Sequence, residues 1–147
     1  MHPPVAFAPA PDHPGWMDWV VGPEGQFNRH TFTRMLSRLD DAATARIRIF
    51  PGEHHGNFNG VIHGGMILAF IDMGVYPACM LITGNEDLNT VTVDVHTQFI
   101  NPGDLAKPLD AVVTLTQETG RMLFIRGTLL QDETVVATFS TLQRKIR

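Results

Sequence analysis

Residues 64–83 read GGMILAFIDMGVYPACMLIT, and this apolar stretch decides the fold. Its length matches the roughly 20 residues that a helix needs to span a membrane. However, Asp72 lies near its centre, Pro77 follows, and no Lys or Arg flanks the stretch. A charged side chain in the middle of a membrane span is unfavourable by several kcal/mol. We therefore predict a helix buried inside a soluble protein, with no membrane as partner.

The ends of this helix are marked by local signals. Gly84-Asn85 is a typical helix stop, because glycine readily adopts the left-handed conformation found there. Pro77 lacks a backbone N–H group and is expected to kink or divide the helix.

The sequence on either side of the helix has the two-residue period of strands. Residues 32–39 and 43–50 predict two strands joined at Asp40-Asp41. After the helix, valines alternate with polar residues, in the order Val91, Thr92, Val93, Asp94, Val95 and His96. Short polar turns then separate further strands at residues 109–117, 122–130 and 134–143, which predicts an antiparallel meander.

This order of elements predicts an α+β fold. A helix that is apolar nearly all round must be covered on most sides, and one antiparallel sheet of about five to six strands can wrap around it. The far face and the edges of such a sheet need cover, which favours a homodimer or a dimer of dimers. We assign residues 31–147 to this domain.

Residues 1–30 are predicted to be an N-terminal arm. Its first 15 residues hold five of the ten prolines and are expected to be irregular. The segment from Trp16 to Val21 is compatible with a short helix. The two tryptophans, Trp16 and Trp19, are interpreted either as core residues, which we favour, or as a cover over a ligand tunnel.

Composition narrows the functional classes. The net charge of −4 argues against nucleic acid as the main partner. The single cysteine, Cys79, excludes an intramolecular disulfide and fits a cytoplasmic protein, and its apolar surroundings favour a core role over a nucleophilic one. The N-terminus lacks the basic and apolar regions of a secretory signal.

The start of the helix is a candidate chemical site. His63-Gly64-Gly65 lies where a polar loop becomes the helix, and the first turn of a helix has unpaired N–H groups and a partial positive charge. Glycine allows a ligand to approach those groups closely. A carbonyl oxygen that gains negative charge would be stabilised there. The alternative is that the two glycines only relieve crowding.

Asp72 is the second candidate. It is the one carboxylate in the apolar stretch, and burial would raise its pKa above the usual value. The alternative is an aspartate that bonds a neighbouring strand. Gly64 and Asp72 are eight residues apart, roughly 12 Å along a helix. A site that uses both therefore requires Asp72 from a second subunit.

Other catalytic patterns are weak or missing. His54, His55 and His63 lack the Cys or acidic partners that complete a zinc site, so no metal is expected. The sequence has neither a nucleophile elbow nor a nucleotide-binding loop.

The combination Asn57-x-x-Gly60-x-x-His63-Gly64-Gly65 followed by Asp72 resembles the PaaI-like hotdog-fold acyl-CoA thioesterases. Residues 90–95 and 99–102 are similar to that family's strand after the helix. The resemblance covers about residues 43–143, and residues 1–42 match nothing in the family pattern.

The resemblance implies a role for each matching residue. Gly64 would polarise the thioester carbonyl, and Asp72 would act as general base or nucleophile. Asn57 would hold the carbonyl or the water, and Thr92 would place the water. His63 would orient the loop and, with Gly65, lie against the substrate.

The resemblance also implies an acyl-CoA substrate and no cofactor, since CoA is part of the substrate. Two rival functions remain within this fold: a non-catalytic acyl-CoA binding protein, and a hydratase or dehydratase, whose usual His–Asp or His–Glu pair is not found. A purely structural dimerisation domain is a third. The basic C-terminus, Arg144, Lys145 and Arg147, would either meet CoA phosphates or be a solvated tail.

Overall fold

The computed structural model describes residues 7–20 and 22–146, which form eight strands and two α-helices. The strands are β1 (Phe7–Pro9), β2 (Met17–Trp19), β3 (Met35–Asp41), β4 (Thr44–Ile49), β5 (Thr90–Phe99), β6 (Leu109–Glu118), β7 (Met122–Gln131) and β8 (Thr134–Lys145). The helices are α1 (Phe27–Thr31) and α2 (Gly64–Thr83), and a 3-10 turn covers Glu53–His55.

All eight strands form one antiparallel sheet in the order β1-β2-β3-β4-β6-β7-β8-β5. Helix α2 packs against β3, β4, β5 and β6, and the main core lies between helix and sheet. The six strands from β3 to β8 are those predicted from the sequence. The last three strands begin at the predicted residues and end within two residues of the predicted ends.

Helix α2 has the predicted limits, and Pro77 does not divide it. Gly84 closes the helix in the left-handed conformation, with φ of 65°. Pro77 and its neighbour Ala78 are buried, so packing offsets the lost backbone hydrogen bond.

The helix is long and apolar enough to cross a membrane, but 61% of its most apolar window is buried inside the protein. One stripe stays exposed, formed by Gly65, Leu68 and Asp72. These residues are three and four positions apart and therefore share one helix face.

The N-terminal segment differs from the prediction. Phe7–Pro9 and Met17–Trp19 are strands that extend the sheet, and the short helix lies at Phe27–Thr31 instead of residues 16–21. Residues 1–6 and Val21 lie outside the described residues. The pairing of β1 and β2 with the sheet is stabilised by Arg34, which is distant in sequence and gives no local signal. Arg34 donates to the carboxylates of both Asp12 and Asp18 at 2.7 Å.

The outer face of the sheet carries its own polar cover. The guanidinium groups of Arg38 and Arg48 lie 4.4 and 4.6 Å from the ring centre of Trp16. Arg46 and Arg48 also donate to the buried carboxylate of Asp110. These contacts bury Trp16 on the face opposite α2 and cover the part of that face around Leu36 and Phe50.

Strand β5 is the edge strand next to the helix and contains a bulge between Thr92 and Asp94. Thr92 pairs with the buried Gln143, whereas Asp94 pairs with Leu142. Paired residues of an antiparallel ladder lie on the same face, and successive residues alternate. Thr92 and Asp94 therefore face opposite sides of the sheet, and the predicted unbroken alternation of this strand is wrong.

Candidate functional site

The backbone N–H groups of the first two residues of α2, Gly64 and Gly65, differ in their hydrogen bonding. His63 is the N-cap residue, and its Nδ1 accepts the N–H of Gly65 at 2.8 Å. Among the described residues, no protein acceptor takes the N–H of Gly64. Gly64 is half-buried, and a Cβ atom there would lie 3.5 Å from the ring of Phe99. Gly64 thus presents the open N–H group of the helix start.

Asn57 shapes the loop before the helix. Its side-chain oxygen accepts the N–H groups of Asn59 at 2.9 Å and Val61 at 3.3 Å. The amide nitrogen of the same side chain donates to no acceptor among the described residues, so a donor is left for a ligand. Asn57 does not line the pocket that contains Gly64.

His55 ties this loop to α1. Its Nδ1 accepts the N–H of Gly52 at 3.1 Å, so its Nε2 carries the hydrogen that is donated to the carbonyl of Thr31 at 2.5 Å. The backbone carbonyl of His55 also accepts the N–H of His63. Burial lowers the pKa of His55, the Thr31 carbonyl partly opposes this, and the ring is neutral. A neutral, buried His55 therefore holds the residue that caps α2.

Asp72 lies on the exposed stripe of α2 and not in the protein interior, so the expected burial is not found within one chain. Its Oδ1 accepts the hydroxyl of Thr92 on β5 at 2.7 Å. The bulge in β5 turns Thr92 towards the helix and makes this bond possible. The structure thus brings Asp72 and Thr92 together in the same chain.

Gln143, on β8, is a polar residue of this site that the sequence pattern had not singled out. It is 4% exposed, and its Nε2 donates to Thr92 Oγ1 at 3.0 Å. The inward positions of β8 are Ala137, Phe139, Thr141 and Gln143. The two polar residues on this otherwise apolar face were the signal that could have identified it.

Asp72 and Gly64 line separate pockets. The pocket at Asp72 has a volume of about 200 Å³ and is lined by Trp19, Asn28, Asp72, Met73, Tyr76, Thr90, Thr92 and Gln143. The pocket at Gly64 has about 310 Å³ and includes Ile67, Phe99 and Ile100. Within one chain, Gly64 and Asp72 therefore do not meet in one pocket.

A third pocket, of about 510 Å³, lies between α1 and the start of α2, with Gly65 on its wall. Four histidines line it: His30, His54, His55 and His63. In residues 7–20 and 22–146, no three His, Cys, Asp or Glu side chains are grouped to hold a metal ion.

The other residues considered from the sequence are Cys79, the basic C-terminus and Trp19. Burial raises the pKa of the Cys79 thiol to about 12, with Glu118 adding to the effect, so the thiol is protonated at neutral pH. Lys145 donates to Glu118 at 2.5 Å, Arg144 is exposed, and Arg147 lies outside the described residues. Trp19 belongs to the main core and also forms part of the Asp72 pocket.

The sequence model of the thioesterase superfamily matches residues 59–138, more than half of the chain. This chain belongs to the thioesterase superfamily. The matched residues 59–138 include Gly64, Asp72 and Thr92. Asn57, Trp19 and Gln143 lie outside this range. No curated protein matches the sequence.

The fold of this superfamily member is shared with solved thioesterases. Zebra fish thioesterase superfamily member 2 has a TM-score of 0.71 at 17% identity, over 82% of this chain and 87% of that chain. A hypothetical thioesterase from Streptococcus pneumoniae, solved with coenzyme A, has a TM-score of 0.68 at 13% identity, over 80% and 90%.

The E. coli PaaI protein from the phenylacetic acid degradation operon has a TM-score of 0.61 at 17% identity, over 71% of this chain and 73% of that chain. At such identities these likenesses show the fold alone. They confirm the predicted hotdog fold and its resemblance to PaaI.

Proposed function

We propose that this superfamily member is an acyl-CoA thioesterase whose reacting carboxylate is Asp72. The observation that carries the proposal is that one helix presents two reactive groups. These are the exposed carboxylate of Asp72, which accepts a hydrogen bond from Thr92, and the open N–H group of Gly64. Membership of the thioesterase superfamily supports the reaction type. The neighbour that was solved with coenzyme A supports the ligand class.

The two halves of the site come together if β5 pairs with its copy in a second subunit. Strand β5 contains both Thr92, which contacts Asp72, and Phe99, which lies beside Gly64. In antiparallel pairing about a twofold axis at His96, the bulge places Thr92 opposite the partner's Phe99, with both side chains on the helix face of the sheet. Asp72 then approaches the partner's Gly64, and the dimer holds two such sites.

The exposed residues of β5 support this pairing. Val93 and Phe99 are 53% and 55% exposed, and Ile100, just past the strand, is 51% exposed. An open edge strand with apolar side chains is a surface for pairing with another chain. A twofold dimer through this edge would cover these side chains and complete the site at once.

In this dimer, the Gly64 N–H group and the partial positive charge of the helix start stabilise the thioester oxygen as it gains negative charge. Asp72 either removes a proton from water or attacks the carbonyl carbon directly. Water adds a hydroxyl to that carbon, the C–S bond breaks, and the CoA thiolate takes up a proton. The products are the free acid and CoA.

The first test measures CoA release from a panel of aryl- and fatty-acyl-CoAs, with wild type, Asp72→Asn and the control Asp87→Asn. Asp87 is exposed in the turn after α2 and lies outside the Asp72 pocket. We expect Asp72→Asn to lower kcat/KM by about 10²–10⁴-fold and the control to leave it unchanged. No turnover of any substrate by wild type would refute the function, and equal activity of wild type and Asp72→Asn would refute the role of Asp72.

A further inference from the structure

The side-chain amide of Gln143 is oriented by a hydroxyl whose own hydrogen is already used. Thr141 Oγ1 donates to the backbone carbonyl of Asp94 at 2.7 Å, so its lone pairs face Gln143. Only an N–H group can bond to those lone pairs, and the Gln143 atom at 3.2 Å is therefore Nε2. The Oε1 atom is then turned towards Thr90, whose hydroxyl lies 3.3 Å away.

The orientation of Gln143 in turn determines where the hydrogen of Thr92 points. Gln143 Nε2 donates to Thr92 Oγ1 at 3.0 Å. The single hydroxyl hydrogen of Thr92 has two acceptors within reach, Asp72 Oδ1 at 2.7 Å and Gln143 Oε1 at 3.4 Å. The shorter bond to a charged oxygen is the stronger one, so Thr92 donates this hydrogen to Asp72 Oδ1.

We infer that Gln143 is a positioning residue that acts through Thr92, directing one hydrogen bond onto Asp72 Oδ1 and leaving Oδ2 free to react. This inference rests on the proposed function, because it takes Asp72 as the reacting carboxylate. The chain of bonds is anchored at the carbonyl of Asp94, on the far side of the β5 bulge. The bulge and the buried amide therefore serve the same purpose, which is to fix the rotation of Asp72.

Among the residues that the structure describes, no other charged side chain lines the pocket of Asp72. The pocket receives Trp19 from β2, Asn28 from α1 and Tyr76 from α2, while β5 and β8 contribute Thr92 and Gln143. Tyr76 is the one other titratable group in the described lining of this pocket. Its hydroxyl donates to the carbonyl of Leu88 at 2.6 Å, and burial raises its pKa. Tyr76 stays neutral at working pH, and Thr92 is the pocket residue that donates a hydrogen bond to Asp72.

The main test replaces the donor by an acceptor, in Gln143→Glu. The new carboxylate would attract the Thr92 hydrogen away from Asp72, so Asp72 should keep its proton to higher pH. We expect the acid limb of the kcat/KM profile to move to higher pH by about one unit, a tenfold change in rate on that limb. The matched control is Gln131→Glu: Gln131 is also 4% exposed, but it bonds Asp104 and Lys107. The control should lower stability without moving the acid limb.

Two further variants separate positioning from charge and from misfolding. In a Thr92→Val background, Gln143→Glu should move the acid limb by much less, and an undiminished shift would mean that Gln143 acts by charge and not through Thr92. Gln143→Met, which is uncharged and similar in size, should lower kcat by about tenfold with KM unchanged. A kcat equal to that of wild type would overturn the inference.

A measurement that needs no catalysis distinguishes this inference from the proposed function. The Asp72 carboxyl carbon is followed by ¹³C NMR from pH 3 to 8 in wild type and Gln143→Glu, and Asp72→Asn identifies its signal. A higher titration midpoint in Gln143→Glu supports the inference, and an identical midpoint overturns it. Absence of thioesterase activity in wild type would refute the proposed function alone.

Discussion

The backbone N–H groups of Gly64 and Gly65 differ in their hydrogen bonding although both residues are glycine. The side chain of His63 occupies the N–H of Gly65 and leaves that of Gly64 open. The sequence predicted that both glycines lie at the helix start, and this is confirmed. Which N–H is open depends on the side-chain conformation of His63, which the sequence alone does not determine.

The environment of Asp72 was harder to predict than its position. Its spacing from Gly64 and its place on the helix follow from the sequence, but its exposure follows from the stripe of α2 that the sheet does not reach. Thr92 was identified through the family resemblance. Gln143 was missed because its contact with Thr92 depends on the register of β5 and β8, and two distant segments set that register.

His55 gives the protein a stability that depends on pH. The ring is neutral in the folded chain because burial lowers its pKa, whereas in the unfolded chain the pKa is about 6.5. Between these two values the unfolded state binds more protons, so stability rises with pH through this window. The contribution is complete above the unfolded pKa and is lost as pH falls below it.

We therefore expect the free energy of unfolding to fall between pH 7.5 and pH 5.5 more steeply in wild type than in His55→Gln. The limit is about 1.4 kcal/mol per pH unit for one proton. Urea unfolding at both pH values measures the difference. His54→Gln, at the exposed neighbouring histidine, removes only the smallest cause of the lowered pKa and should keep most of the wild-type slope. Equal slopes in wild type and His55→Gln would contradict the prediction.

Among the elements, α2 was the most predictable and the N-terminal strands the least. The start and end of α2 are encoded within a few residues, by His63-Gly64-Gly65 and by Gly84. Strands β1 and β2 have only three residues each, and Arg34 holds them through contacts 16 and 22 positions away. Short strands held by distant ion pairs have no local periodicity from which to predict them.

Strand β2 brings Trp19 to the wall of the Asp72 pocket, where the proposed reaction would take place. A cavity of about 150 Å³ is enough to hold benzene. The pocket of about 200 Å³ thus has room for a single ring or a short chain. Among the described residues, no Lys or Arg lines it. Under the proposed function, the acyl group and not the CoA phosphates would therefore occupy this pocket.

Trp19→Leu should therefore widen the substrate range. We expect the ratio of kcat/KM for long over short acyl-CoAs to rise by about tenfold or more, because removing bulk from a pocket relaxes its discrimination. The matched control is Trp16→Leu, which removes a tryptophan of similar burial, 7% against 8%, from the outer face of the sheet. An unchanged ratio in Trp19→Leu, or the same rise in Trp16→Leu, would show that Trp19 does not limit the acyl group.

At the scale of the whole molecule, the open edge of β5 and the divided site lead to the same assembly. Gly64 and Asp72 face different pockets, and the twofold pairing proposed for β5 joins the pocket of one subunit to that of the other. Pairing would also cover the exposed valines of the edge. The sequence predicted this division from helix spacing alone, but the choice of β5 as the joining edge required the sheet order.

A variant of Gly64 can remove its N–H group without other loss at the helix start. Proline is tolerated at the first position of a helix, and the residue before it prefers extended backbone. His63 already has that conformation, with φ of −64° and ψ of 136°. Gly64→Pro therefore deletes the donor, whereas the control Gly64→Ala keeps it. We expect Gly64→Pro to lose about 10²–10³-fold in kcat and Gly64→Ala to lose much less.

Combining Gly64→Pro with Asp72→Asn tests whether the site is shared between subunits. Each variant alone forms dimers with two defective sites, because every site lacks either the donor or the carboxylate. In a mixed dimer, Asp72 of the first variant meets Gly64 of the second, so one of the two sites is intact. Random refolding of an equal mixture should recover about a quarter of wild-type activity, since half of the dimers are mixed. If each site lay within one chain, no mixed dimer would contain an intact site, and refolding would recover nothing.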